Sequence, residues 1–577
     1  MHYKKICGRH PLHILAALMM LVAYNHGYAQ IRSIYLTPHH VIAEEDAASV
    51  ATFLATTLPS GIQFRAIEKR ISPYATYFTF QQVIDGIPVE NVQLKVTVKS
   101  NLIQYISGTY YQVQETDHAR VMAQHVDGLV YRVNDNKLEQ YTRQLVSRGN
   151  NDMLFEYRTP DGQLAFVDDR RSYFILPDTL VHALVFLPDP ITTAETTYGG
   201  LFVDMDDADA VALNNERVDL LMPATFENDT FFLRTENIVL KDLNVPVILI
   251  AYALSDTFHY TREEDGFEDV QALFHLTNMV SYLTSIGYEV LTDFYIEVDL
   301  HGASGADQSF YVSASSPSIQ FGVGGVDDAE DGDVIIHEYV HGLSDFASPA
   351  SNTGLERRAI DEGYGDYFAA SYSRGYSEYD WFNIFNWDAH NEYWAGRNAN
   401  TDKHYPEDNS DNYYAASEIW SGALMDIYDI IGKEACDKIV CEALYASFAN
   451  MNMHEAALAL LEAEDLVYAQ TYQAEIFDAL YARGLVWHDD VANQGVPAEI
   501  QILNSMGFAF GTGPLNILLP EKALTHWQLI DISGHLIVQG EEENNSFQIA
   551  PVDAPPGVVC LRLNVDGQVF STRLIIY

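Results

Sequence analysis

The sequence predicts an α+β fold shared among several domains, and three observations carry that prediction. Residues 30–250 alternate short apolar runs with polar turns, residues 266–485 place apolar side chains at three- and four-residue steps, and short alternating runs return from about 497 onward. A chain of 577 residues, 48% of them hydrophobic, lets each block bury a core of ordinary size. The expected layout is a leader over 1–29, a β-rich domain over 30–180, a mixed domain over 181–505 and a small β-sandwich over 510–577. Within 181–505 the first half is expected to contain the strands and the second half the helices.

The leader reads "MHYKKICGRHPLHILAALMMLVAYNHGYAQ". Lys4, Lys5 and Arg9 start it with positive charge, Ile14 to Tyr24 form an apolar run, and Gly27-Tyr28-Ala29 offers small residues for cleavage after Ala29. A secreted or cell-surface protein is expected. That run is too short to span a bilayer, and no later stretch approaches the roughly 20 apolar residues a spanning helix needs, so no transmembrane span is expected. The β-rich domain contains "NVQLKVTVK", where Val92, Leu94, Val96 and Val98 alternate with Gln93, Lys95, Thr97 and Lys99, the period of a half-buried strand. In "GFEDVQALFHLTNMVSYLTSIG" the apolar residues Phe267, Val270, Phe274, Leu276, Val280, Leu283 and Ile286 predict an amphipathic helix. Near the end, "THWQLIDISGHLIVQG" reads as two strands joined at Asp531–Gly534, and a further turn is expected at Asp566-Gly567. Once Cys7 leaves with the leader, Cys436, Cys441 and Cys560 remain, with no metal-ligand spacing and no expected Cys436–Cys441 bridge. The aromatic and Met positions of "IWSGALMDIYDIIG" are read as core.

A formal net charge of -49 excludes the basic footprint that nucleic acid or an anionic membrane would require. The chemistry lies elsewhere. "DVIIHEYVHGL" holds His337 and His341 four apart, on one face of a helix, where both imidazoles can bind one metal ion. Glu338 then sits beside the ion rather than on it, placed to take a proton from an activated water. In a chain with 20 histidines such a string arises by chance roughly once in twenty sequences, so the next segment decides. "AIDEGYGDYF" supplies Glu362, 21 residues after His341, and Asp366 one turn later, placed to accept the free N–H of a ligating histidine. Two histidines, one glutamate and an open position suit a catalytic zinc.

These residues carry a family resemblance. "HEYVHGL" followed by "DEGYGD" resembles the gluzincin arrangement of thermolysin, and more closely the fungalysin-type metallopeptidases. "YFTFQQVIDGIPVENVQLKV" is similar to the propeptide of those enzymes, and residues 510–577, with "QLIDISGHLIVQG", resemble the C-terminal sorting domain of type IX secretion in Bacteroidetes. The resemblance implies a thermolysin-like catalytic domain and a secreted zinc endopeptidase made as a zymogen, acting on protein or peptide substrates and exported through the secretion machinery. His337, His341 and Glu362 would hold Zn2+, Glu338 would be the general base, and Asp366 would orient a histidine. Ser318 to Phe321, centred on Ile319, would offer an edge strand to an extended peptide, with Gln308 and Ser309 near its polar groups.

The pattern breaks at one point. Aligning Glu418 and Trp420 of "NYYAASEIW" puts Tyr414 where the family carries the histidine that stabilises the oxyanion; a tyrosine hydroxyl can also donate there, and Tyr413 and His404 are alternatives. The rival expectation is therefore a catalytically weakened or inactive zinc-binding cell-surface protein. In "VDDAEDGD", Asp327, Asp328, Asp331 and Asp333 leave two readings open, a Ca2+ site or helix N-terminal charge.

Overall fold

The computed structural model describes residues 31–576 apart from 37–39, 59–61, 85, 112–128, 135–136, 147–153, 159–163, 170–177, 206, 315, 488–500, 505–508, 511–514, 532–535, 551–556 and 566–567. The expected leader and both expected C-terminal turns lie outside the described residues. The fold is α+β, and the chain divides into two compact units, one reaching to Leu485 and the other running from Val486 onward.

The first unit opens with a sheet. Strands β1 (Ile31–Leu36) and β2 (His40–Val41) lead to helix α1 (Ala47–Thr57), whose first turn is capped by the Asp46 carboxylate accepting from Ser49 N. β3 (Gln63–Ile71), β4 (Thr76–Ile84), β5 (Ile87–Lys99) and β6 (Leu102–Tyr111) then pair antiparallel in sequence, and β1 closes on β6. β7 (Leu129–Asn134), β8 (Lys137–Val146), β9 (Leu154–Arg158) and β10 (Leu164–Asp169) extend the sheet through a parallel β5–β7 contact. The alternation in β5 is real, but its polar face is not solvated. Val92, Leu94, Val96 and Val98 are fully buried on one face, and Gln93, Lys95 and Thr97 are buried on the other. A strand expected to be half-buried is therefore enclosed on both sides.

The next strands are β11 (Asp178–Val185), β12 (Val218–Glu227), β13 (Thr230–Phe232), β14 (Ile238–Leu240), β15 (Tyr252–Ala253) and β16 (Thr257–Phe258). Helix α2 (Gly266–Ser285) follows where the apolar period predicts it, and then β17 (Ile296–Asp299), β18 (Phe310–Val312) and β19 (Ser318–Gln320). They form two sheets, in the orders β15-β13-β12-β11-β16 and β14-β17-β19-β18. The helical half comprises α3 (Gly332–Ala347), α4 (Leu355–Arg374), the short pair β20 (Asn383–Ile384) and β21 (Arg397–Asn398), then α5 (Tyr413–Ile431), α6 (Lys433–Ala446), α7 (Met453–Tyr468) and α8 (Gln473–Ala482). Trp420 and Met425 of α5 are core, as their spacing predicts, and Cys436 and Cys441 are buried free thiols.

Polar contacts tie the first sheet to these helices. Ser72 and Tyr77 both donate to Glu442 Oε1, at 2.6 and 2.7 Å, and Tyr105 donates to Asp465 at 2.9 Å. Lys95 Nζ donates to Ser348 Oγ at 3.1 Å, just past the end of α3, and burial lowers its pKa to about 7.

In the second unit, β22 (Gln501–Asn504), β23 (Ala509–Phe510), β24 (Leu515–Asp531), β25 (Leu536–Ile549), β26 (Gly557–Val565) and β27 (Gln568–Ile576) make one six-stranded sheet. β22 pairs with the start of β24 and β26 with its end, and the β24–β25 register shifts between Leu518 and Ala523. Residues from both halves of β24, among them Ile517 and Leu529, meet in one apolar cluster with Phe547, Leu561 and Leu563. Because β22 belongs to this sheet, the domain boundary expected at 505–510 falls inside it.

Candidate metal centre

Helix α3 is capped by Asp331, whose carboxylate accepts from Asp333 N at 2.8 Å and from Trp387 N and Asp388 N at 2.9 and 3.1 Å. Val334, Ile335 and Ile336 anchor it in the core. One turn later His337 and His341 share a face, with ring centroids 4.9 Å apart and planes nearly perpendicular. Helix α4 crosses close by because it carries Gly365: a Cβ there would stand 2.5 Å from His337 Nδ1. That approach delivers Glu362. Its Oε2 lies 3.3 Å from His337 Nε2 and its Oε1 lies 3.8 Å from His341 Nε2.

Each imidazole is held from behind. His341 Nδ1 hydrogen bonds Asp361 Oδ2 at 2.7 Å, and Asp361 also accepts from Ser344, Asn352 and the buried Arg357. Burial raises the Asp361 carboxyl, but Arg357 and His341 outweigh it and hold the pKa at about 2. His337 Nδ1 stands 3.1 Å from Asp366 Oδ1, close but poorly aligned for a hydrogen bond. Both Nε2 atoms are thereby left facing Glu362.

The donor atoms of His337, His341 and Glu362 lie within 4.8 Å of one another. Two imidazole nitrogens and one carboxylate are a zinc donor set, and bonds of about 2.0–2.1 Å in tetrahedral array put neighbouring donors about 3.3 Å apart. The His337–Glu362 separation of 3.3 Å fits that spacing. Glu338 is buried, its Oε2 has no hydrogen-bond partner among the described residues, and burial pushes its carboxyl above the usual range against the pull of His341 and His337.

Arg397 of β21 escaped the sequence reading. Its guanidinium donates to Glu362 Oε2 at 2.8 Å and stands 3.2 Å from Asp366 Oδ1, while Glu418 accepts from Asn398 N at 3.1 Å and so fastens the strand. Burial opposes ionisation of Glu362, but His337, His341 and Arg397 together hold its carboxyl well below the ordinary range. Asp361 was also missed. Its position one turn N-terminal to Gly365 and beside Glu362 was visible, but only the crossing of α3 and α4 shows which histidine it serves.

Tyr414 is half exposed in the first turn of α5, its ring 5.6 Å from the Arg397 guanidinium. Burial and its hydrogen bond with Tyr413 push its hydroxyl pKa up, so the group stays a donor. His404 is exposed, its ring Nδ1 bonded to Asp402 O at 2.6 Å in its own loop.

The edge-strand expectation needs correction. Ile319 is fully buried in β19, which pairs with β17 on one side and β18 on the other. The end of that sheet is β18, Phe310–Val312, directly after Gln308 and Ser309. The apolar Ile319 and Phe321 mark an interior strand, for which enclosed side chains are the physical requirement. Gln308 is exposed, whereas the Ser309 hydroxyl donates to Asp328 Oδ2.

The four acids of "VDDAEDGD" do not converge. Asp331 and Asp333 accept backbone N–H groups, Asp333 from Phe385 N at 3.0 Å. Asp327 lies among Asp207, Glu268 and Glu330, and burial in that company pushes its carboxyl up to about 10. Only Asp328 joins a candidate cation cluster, with Asp307 and Asp388.

A scan against protein-family models finds no match, and a search of curated proteins finds none either.

Proposed function

We propose that this chain is an exported zinc-dependent endopeptidase, made as a zymogen and delivered through its C-terminal domain by type IX secretion. The observation that carries the reading is the convergence of His337, His341 and Glu362 beside a buried, unpartnered Glu338 oxygen. When bound, zinc supplies Lewis acidity to the attacking water and the scissile carbonyl.

The chain's own residues account for the remaining steps. His337, His341 and Glu362 would hold the ion, with Asp361 hydrogen bonded behind the His341 imidazole and Asp366 standing behind that of His337, so that each Nε2 faces it. Glu338 takes a proton from the water as its oxygen bonds to the carbonyl carbon, then gives a proton to the leaving amine nitrogen as the C–N bond breaks. Tyr414, its ring beside Arg397, donates from its hydroxyl to the oxygen that gains charge. An extended peptide adds by backbone pairing to the side of β18 that no described strand covers. Among the described residues no helix is long and apolar enough to cross a membrane.

The half-exposed Tyr414 in place of a histidine keeps a second reading in view, a zinc-binding surface protein with little turnover. Casein cleavage by the processed protein, abolished in Glu338→Gln while zinc stays bound, supports the peptidase. Equal cleavage by parent and variant overturns it.

A further inference from the structure

We propose that Asp307, Asp328 and Asp388 form a calcium site that clamps the β18–β19 hairpin to the start of helix α3. One carboxylate oxygen from each lies within 4.8 Å of the other two. Asp328 and Asp388 are almost wholly buried, and among the described residues the Oδ1 atom of each has no hydrogen-bond partner. A buried carboxylate oxygen without a donor is costly, and two such acids clustered with a third need a cation or a proton.

The other oxygens are already oriented. Asp328 Oδ2 accepts from the Ser309 hydroxyl and from Gly322 N at 3.3 Å, and Asp388 Oδ2 accepts from Trp394 Nε1 at 3.1 Å. Asp307 is exposed at the rim, but Gly325 packs against it; a Cβ there would stand 3.1 Å from its carboxylate carbon. The charged neighbours that weigh most on Asp328 and Asp388 are themselves carboxylates, Asp307 and Glu338 for the first, Asp328, Asp331 and Asp307 for the second. Calcium accepts such all-oxygen sets at about 2.3–2.6 Å in irregular geometry and completes its shell with carbonyls and water, whereas magnesium demands near-octahedral geometry at about 2.0–2.1 Å.

The three ligands come from separate segments. Asp307 precedes β18, Asp328 lies in the turn before α3, and Asp388 follows β20. A cation there braces the hairpin against the histidine-bearing helix, whether or not the protein hydrolyses peptides.

The test uses the full chain stripped of metal and resupplied with one equivalent of zinc. Millimolar CaCl2 should raise the unfolding midpoint by about 5 °C or more, with a smaller rise from MgCl2. Tb3+ should show tryptophan-sensitised luminescence through Trp394 and lose it on adding calcium. Asp388→Asn should abolish both responses, and Asp307→Asn, at an exposed position that leaves folding intact, should raise the calcium needed by at least about tenfold. His341→Ala should keep the calcium response, which separates this site from the zinc reading. No calcium response in the parent, a response unchanged in both Asp variants, or an equal response to magnesium overturns the proposal.

Discussion

Two acid-rich sites flank helix α3, and they treat their carboxylates in opposite ways. Beside His337 and His341, three acids of α4 each have a cationic or donor partner: Glu362 has Arg397, Asp361 has Arg357, and Asp366 has Ser417 and Arg397. Around Asp328 and Asp388 the leading charged neighbours are acids. Burial disfavours charge in both places, so the first site can keep its charges without an added ion and the second cannot. The compensated site is built to present nitrogen and oxygen donors in a set direction. The uncompensated one stores repulsion that a cation or protons must relieve.

The sharpest break in that contrast comes from Glu338, the unpartnered acid of the compensated site. Glu338→Gln should lower kcat for casein by about 1000-fold or more while zinc content, read by metal analysis, stays near that of the parent. Tyr414→Phe removes one donor and should cost about 100-fold in kcat with little change in KM, read by steady-state kinetics on a peptide. Asp361→Asn leaves His341 without its ionised partner and should weaken zinc binding by about tenfold, read by competition with a chelator.

The smallest effect concerns a buried acid away from both sites. Asp269, in the first turn of α2, accepts from Ala251 N at 2.7 Å with one oxygen and, among the described residues, has no hydrogen-bond partner for the other; burial raises its pKa to about 6. Its folded pKa is raised, so the stability it contributes is present below the unfolded pKa near 4 and is lost as pH rises through about 6. The unfolding midpoint should therefore fall between pH 4 and pH 7, and Asp269→Asn should flatten that fall by a few degrees in a thermal scan.

Helix α3 was legible because its chemistry is local. A four-residue step on one helix places His337 and His341 together whatever the rest of the chain does. Glu362 and Asp366 were legible for a related reason, since one more helix at a short separation supplies both. The alternation of β5 was legible too, but not that its polar face would be covered, because Lys95 is enclosed against Ser348, 253 residues further along the chain. Ile319 was misplaced for the same reason: a three-residue strand does not reveal how many neighbours it has.

By itself the sequence determined the α+β class, the helix over 266–285 and the histidine pair, all of which follow from residue spacing within one element. Tertiary structure alone decided that Arg397 would sit on Glu362, that β18 rather than β19 would end its sheet, and that Asp307, Asp328 and Asp388 would meet. The physical reason is that periodicity reports which face a side chain takes on its own helix or strand. Which distant segment comes to lie against that face depends on how the elements pack.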